Sequence, residues 1–225
     1  AERLPVDRMM VGTGTTSLDD SAALTRAAFD CEFAGALVMP PFFYRDVSDD
    51  GVIAYFDALF SRTDPPDRSV ILYNFPAASG VTFTATLVDR MMDEFPKILS
   101  GIKDSSNDRE LQQAIAQRHP DFAILPSSEE FLAGARDRGT AGCISGSVAL
   151  WPQLAKRVFD SGEASQAERL SALRRAVAGP NMILRVRYLT SSMRNDDTWE
   201  RAMPPLGTLT GAQKRELDEA ISRCA

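Results

Sequence analysis

From residue 6 to residue 147 the chain alternates six times between a short apolar run and a stretch of helical spacing. This alternation restricts the fold more than any other feature. The runs lie at 6–11, 35–41 (GALVMPP), 69–76 (SVILYNFP), 97–103 (KILSGIK), 122–126 (FAILP) and 141–147 (AGCISGS). They are rich in Val, Ile and Leu and nearly continuous in apolar character, as strands covered on both faces of a parallel sheet are. The stretches between them carry helical stripes: Leu24, Ala27, Ala28 and Cys31; Val52, Ile53, Phe56, Leu59 and Phe60; Leu87, Val88, Met91, Met92 and Phe95; Leu111, Ala114 and Ile115. Ser17 with Asp20, and Ser127 with Glu130, read as capping boxes that open helices, the second running through Phe131, Leu132 and Ala135. Strand–helix alternation of this kind predicts an α/β fold.

After Trp151 the strands stop. Residues 151–161, 163–178, 181–193 and 211–223 all read as helices, the last with a Thr210/Gln213 capping box. The expected division is a β/α portion over 1–150 and a helical region over 151–225. Within the first part an open doubly wound sheet competes with a barrel. The loop GTGTTS (12–17) has the wrong spacing for a dinucleotide fingerprint and no acidic partner at the right distance. Polar residues gather instead at the C-terminal ends of the runs: Thr13, Tyr73, Lys103, Ser127, Glu129 and Ser145. A β/α barrel keeps its chemistry there.

Composition narrows the function. A net charge of −6 with no Lys/Arg cluster argues against a nucleic-acid surface. Cys31, Cys143 and Cys224 are scattered, without a Cys-x-x-Cys pair, and His119 is the sole histidine, so neither a disulfide framework nor a zinc site is indicated. No apolar run is long enough to span a bilayer. The chain opens AERLPVDRMMVGTG, without an initiator Met or an apolar targeting segment, and enters a strand almost at once; either something has been removed upstream or the chain begins inside a fold.

The stretch ILSGIKDSS (98–106) leads a lysine along an otherwise apolar strand. Simple alternation puts Leu99, Gly101 and Lys103 on one face, Ile98, Ser100 and Ile102 on the other, with Gly101 leaving room beside the lysine. In the preceding strand Ile71 and Tyr73 share a face. The two strands are consecutive and so expected to be neighbours. Partial desolvation at such a strand end favours the neutral, nucleophilic amine, which can attack a 2-oxo group and form a Schiff base. A neighbouring tyrosine hydroxyl can shuttle the protons involved. The structural alternative is a lysine that snorkels to water with Asp104 as its partner.

The pair YNFPAASG (73–80) and GIKDSS (101–106) resembles the signature pair of the dihydrodipicolinate synthase / N-acetylneuraminate lyase family. PPFFY (40–44), GCISGS (142–147) and PPLGTLT (204–210) match it in the same order, and the 30 residues from Tyr73 to Lys103 fit its spacing. The resemblance implies a TIM (β/α)8-type barrel with a helical C-terminal extension, of which six of the eight strands, family strands 3 to 8, are identifiable. It implies Schiff-base chemistry on pyruvate or related 2-oxo acids, with Lys103 as the Schiff-base lysine and Tyr73 as the proton relay, and no metal or organic cofactor. It also implies a homo-oligomer, dimer or tetramer, in the cytoplasm, with neither nucleic acid nor membrane as partner.

The sequence departs from the family pattern in three places. The strand and threonine-pair loop expected upstream of residue 6 are not in the sequence, so the chain reads as lacking the first two barrel strands; Thr15 and Thr16 read as a loop approaching an N-cap. Dihydrodipicolinate synthases carry an arginine where this chain has Ala78, which resembles the sugar-acid aldolases more. A tyrosine reaching into a neighbouring subunit is replaced by Phe43, with Tyr44 adjacent.

The resemblance assigns further substrate contacts to Ser127, Glu129, Ala78 and Ile144, the last through its backbone; Glu129 is preferred over Glu130 because Glu130 has a capping role. Asn74 is expected to fix backbone at its strand end, and Asp104 to tune Lys103 or cap the loop. His119 reads as a surface loop residue. Phe42, Phe43 and Tyr44 suit either the pocket mouth or a subunit contact, and the resemblance favours the contact. The expected activity is cleavage of a 2-keto-3-deoxy sugar acid or similar substrate to pyruvate and an aldehyde by a class I aldolase-type carbon–carbon lyase. The alternatives are a dihydrodipicolinate synthase, condensing pyruvate with an aldehyde, and a catalytically impaired ligand-binding or assembly protein.

Overall fold

A computed structural model describes residues 5–224; the first four residues of the opening read above lie outside it. The chain forms two compact units. The first holds the residues up to Pro126 together with Arg138–Ala141, and the second holds Ser127–Asp137 and the residues from Gly142 onward.

The first unit runs β1 (Met10–Gly12), α1 (Leu18–Asp30), β2 (Gly35–Val38), α2 (Asp49–Thr63), β3 (Val70–Asn74), α3 (Pro76–Ser79), α4 (Ala85–Glu94), β4 (Leu99–Asp104), α5 (Arg109–Arg118) and β5 (Ala123–Pro126). The five strands are all parallel and lie in sequence order. This order has no point at which the winding reverses. A doubly wound sheet needs one, so the topology is that of a barrel wall.

One sheet face carries Ala36, Val38, Val70, Leu72, Leu99, Ile102 and Ile124, which pack with Phe56 and Leu59 of α2, Leu87 and Met91 of α4 and Ile115 of α5. Fully burying side chains of this size stabilises by about 1.5–3 kcal/mol each before chain entropy is counted. The other face is less covered. Leu37, Tyr73, Lys103 and Leu125 remain partly exposed. Ser17 caps α1 as the sequence predicts, its Oγ accepting the Asp20 amide; Ser48 Oγ likewise accepts the Gly51 amide at the start of α2, and Asp108 Oδ1 the Leu111 amide at the start of α5.

Several expectations need correction here. The run at 141–147 does not form a sixth strand among the described residues: Thr140 makes one bridge to Ile124, and Gly142, at φ 150°, leaves the extended path. Leu24, Ala27 and Cys31 are exposed; α1 instead buries Ser21, Ala22, Thr25 and Ala28, because Thr25 Oγ1 donates to Thr13 Oγ1 at 2.8 Å and so turns a polar face inward. Leu99 does not share a face with Gly101. The ladder shifts between Val70 and Ile71, so that Val70 pairs with Leu99 but Ile71 pairs with Gly101, and Ser100 is the extra residue, its Oγ donating to the Val70 carbonyl. His119 is more than a surface loop residue: it is half-buried, with Nε2 2.8 Å from Asp89 Oδ1.

The second unit contains α6 (Pro152–Ser161), α7 (Ala164–Val177), α8 (Met182–Arg194) and α9 (Gly211–Ser222), close to the four helices the sequence predicts. The Thr210/Gln213 capping box is formed. The helix expected after Ser127 is only a single 3-10 turn, Glu129–Phe131, and its cap is Ser128 rather than Ser127. Two apolar clusters hold this unit. One is centred on Leu132, Leu154, Val158, Leu170 and Leu173, the other on Leu150, Val177, Leu189, Leu209 and Leu217.

Candidate active site

On the less covered face of the sheet the register aligns two rows across neighbouring strands. Leu37, Ile71, Gly101 and Ala123 form one row, and Tyr73, Lys103 and Leu125 the next toward the strand ends. Tyr73 and Lys103 are direct partners, and Lys103 Nζ lies 4.0 Å from the centroid of the Tyr73 ring. The Tyr73 ring is itself stacked on Phe75, at 5.7 Å between centroids and 20° between planes. An ammonium over an aromatic face gains about 0.5–2 kcal/mol. Among the described residues no carboxylate forms an ion pair with Lys103.

Asp104 is not the lysine's partner. It points to the opposite, helix-covered face and is 2% exposed. There it accepts from Asn74 Nδ2 at 2.7 Å, Gln112 Nε2 at 2.6 Å, Ser106 Oγ at 2.9 Å and the Ser106 amide at 3.2 Å. Asn74 Oδ1 accepts the Phe83 amide at 3.1 Å. A backbone amide can only donate, so this bond fixes which way the Asn74 amide points. Thr15 is likewise used locally, its Oγ1 donating to the Ser17 carbonyl in the approach to α1.

Gly101 does not leave space beside the lysine. A Cβ there would meet the Ala123 carbonyl oxygen at 2.4 Å, so the glycine is needed for the close approach of β5. Ala78 lies in α3, partly buried. Phe43 and Tyr44 are 74% and 70% exposed, with their rings edge to face at 5.4 Å.

Ser127, Glu129 and Ile144 belong to the second unit. Ser127 and Ile144 are partly buried. Glu129 is enclosed, with its carboxylate oxygens accepting from Ser145 Oγ and Ser147 Oγ, both at 2.6 Å. Arg174 donates to Ser147 Oγ at 3.0 Å, and its Nε lies 3.9 Å from Glu129. Glu130 is the more accessible of the two acids and pairs with Arg175 at 3.1 Å. Burial pushes the Cys143 thiol up to about 12, with the Glu129 charge adding to the shift and Arg174 opposing it. Among the described residues no group of three or more His, Cys, Asp or Glu is placed to hold a metal ion, and no helix is long and apolar enough to cross a membrane.

Nothing in the sequence spacing singles out Gln112 or Ser147, and Asn74 and Asp104 are 30 residues apart. The signal for the Asn74–Asp104 pair was present: each directly follows one of the two reactive residues, so strand alternation sends both to the opposite face.

The profile of the Dihydrodipicolinate synthetase family matches residues 6–223. The chain belongs to this family. It is 37% identical over 171 residues to an uncharacterized DapA-like lyase of Chloroflexus aurantiacus, across 74% of this chain and 57% of that protein. It is 31% identical over 156 residues to the putative 2-dehydro-3-deoxy-D-gluconate aldolase YagE of Escherichia coli, across 68% of this chain and 49% of that one. The crystal structure of dihydrodipicolinate synthase from Agrobacterium tumefaciens superposes with a TM-score of 0.90 at 28% identity, over 98% of this chain and 76% of that one. The fold is therefore that of the family's TIM barrels, and the chain spans about half to three quarters of the length of these relatives.

Proposed function

We propose that this chain carries the Schiff-base centre of a class I aldolase-type lyase acting on 2-oxo acids. The observation that carries the reading is the register pair Tyr73–Lys103, with the amine 4.0 Å from the ring and no carboxylate among the described residues to neutralise it. Lys103 Nζ attacks C2 of the substrate. The carbinolamine loses water to give the imine, with Tyr73 Oη passing protons to and from the departing oxygen. The protonated imine draws the electron pair of the C3–C4 bond as that bond breaks. The C4 oxygen leaves as an aldehyde once its proton is removed, and the remaining enamine takes a proton at C3 and is hydrolysed to pyruvate and free lysine.

The preferred substrate class is a 2-keto-3-deoxy sugar acid, supported by the similarity to the putative aldolase of E. coli and by the small Ala78 where a synthase carries arginine. A second reading, condensation of pyruvate with an aldehyde as in dihydrodipicolinate synthase, is favoured by the TM-score of 0.90 to the Agrobacterium enzyme. Association of copies through Phe42, Phe43 and Tyr44 completes the proposal.

Incubation with pyruvate and borohydride, followed by intact mass and peptide mapping, tests it. The expected result is one reduced pyruvyl adduct on Lys103. A folded sample without that adduct would sink the Schiff-base reading. An adduct without cleavage or condensation of any sugar acid or aldehyde would favour a ligand-binding or assembly role.

A further inference from the structure

The residues that follow Tyr73 and Lys103 in sequence are also register partners. Asn74 and Asp104 pair at the last position of the β3–β4 ladder. Their side chains meet on the helix-covered face, and both are essentially buried, at 0% and 2% exposure. We propose that Asp104 and Asn74 are the positioning pair of the Schiff-base centre, locking the ends of β3 and β4 in the one register that sets the Lys103 amine against the Tyr73 ring. This deepens the Schiff-base reading and rests on it.

The need for such a lock comes from the ladder itself. It shifts by one residue between Val70 and Ile71, so the pairing at the start of the strands does not dictate the pairing at their ends. A slip of one residue sends every side chain beyond it to the other face. Here that slip would exchange Lys103 with Asp104. A carboxylate would enter the site and the amine would enter a core of Ile102, Leu72 and Phe83. Apolar side chains at 74 and 104 would pack in either register; a donor that must meet an acceptor does not.

The lock is also braced. Asp104 is held from the loop by Ser106 and from α5 by Gln112, while Asn74 is held by the Phe83 amide. The Ser105 amide donates to the Asn74 carbonyl at 2.8 Å, extending the tie by one residue. Every partner of Asp104 is a donor, so the site fits an acceptor-only carboxylate, and an asparagine in its place would set an NH2 group against other N–H and O–H groups. In the paired exchange N74D with D104N, the side-chain amide introduced at position 104 can donate to the new carboxylate at position 74, which still accepts from the Phe83 amide, while the Ser106 amide loses its acceptor.

The test compares wild type, D104N, N74S and the paired exchange N74D/D104N, with Ser48→Ala as a control that removes a cap of α2 and makes no bond to the pair. Two readouts are taken beside the thermal melt. The first is the ring-current shift of the Lys103 ε-methylene in lysine-labelled protein, which needs no turnover. The second is the rate of borohydride trapping at saturating pyruvate, kept apart from the half-saturating concentration. D104N and N74S are expected to lose the ring-current shift and to slow saturated trapping by about tenfold to a hundredfold, as misplacement of a reacting group does. The half-saturating concentration should move little, and the paired exchange should recover part of both signals, since it restores the bond between 74 and 104 but not the Ser106 amide tie. Ser48→Ala should lower the melt alone. A folded D104N or N74S with the shift and trapping rate of wild type overturns the proposal, as does a paired exchange no better than its single parents. N74S keeps the Ser106 and Gln112 ties of Asp104, so it serves if D104N does not fold. Wild type that shows the shift but traps no pyruvate, with the shift lost in D104N, refutes the Schiff-base reading while the positioning of the amine stands.

Discussion

Gly101 of β4 and Ala123 of β5 are register partners so close that a Cβ on Gly101 would stand 2.4 Å from the Ala123 carbonyl oxygen and 2.9 Å from its Cβ. The first obstacle is backbone, so no side-chain rotation relieves it. Gly101→Ala is expected to destabilise the fold by about 1–3 kcal/mol, the usual penalty for overpacking. Urea denaturation of the two proteins measures this. An unchanged midpoint would mean that β5 can move away freely. The same displacement would carry Leu125 away from Lys103, so borohydride trapping should slow as well.

Tyr73 offers its ring and its hydroxyl to different tasks, and the two can be separated. Tyr73→Phe keeps the face over which Lys103 Nζ sits and removes only the proton path. The variant should retain its melting temperature while imine formation at saturating pyruvate falls by about 10²–10⁴-fold. Lys103→Ala should abolish the adduct altogether. Trapping of Tyr73→Phe at the wild-type rate would remove Tyr73 from the mechanism.

How much of this was legible in the sequence depended on whether a signal was local. The α/β class, the caps at Ser17 and Thr210 and the four C-terminal helices rest on periodicity or spacing within a few residues of each feature, and the Tyr73–Lys103 pairing on the adjacency of consecutive strands. What escaped needed a partner distant in sequence. Simple alternation misassigned Leu99 because the irregularity at Ser100 exists only against β3. Leu24 looked like core because its helical spacing is right, yet Thr13, twelve residues from Thr25, decides which face of α1 turns inward. Glu129 read as accessible because the two serines that enclose it lie 16 and 18 residues further along the chain. The run at 141–147 has strand composition, but a ladder needs a neighbour, and beyond Ala141 none of the described strands pairs with it.

The enclosure of Glu129 has a measurable consequence. Its two oxygens each take a serine hydroxyl, and the Arg174 guanidinium side chain, 17% exposed, stands beside them. Glu129→Gln replaces one acceptor by a donor and should cost about 1–3 kcal/mol, the penalty of an unmet buried polar group. Glu129→Ala leaves both serine hydroxyls without their acceptor and the Arg174 guanidinium without its counter-charge, and should cost about 3–5 kcal/mol. Guanidinium unfolding followed by tryptophan fluorescence reports on this, since Trp151 packs in the apolar clusters of the same unit. Equal stability of Glu129→Ala and wild type would mean that the carboxylate is dispensable to the second unit.

Cys143 gives a pH dependence of known direction. Burial, with the Glu129 charge in support and Arg174 against, raises its thiol from an ordinary value of 9.0 to about 12. A group whose pKa is higher in the folded state holds its proton longer there, so the stability it contributes is complete below about pH 9 and is lost as the pH climbs toward 12. Other groups also titrate in this range, so the measurement is the difference in unfolding free energy between wild type and Cys143→Ala. That difference should stay constant from neutral pH to about pH 9 and then fall steadily toward about pH 11. Alkylation offers an independent check: at about pH 8 iodoacetamide should modify the exposed Cys31 in the native protein and reach Cys143 only after denaturation. A pH-independent difference, or rapid native labelling of Cys143, would show that the thiol is reached by water and that its surroundings do not hold the proton on.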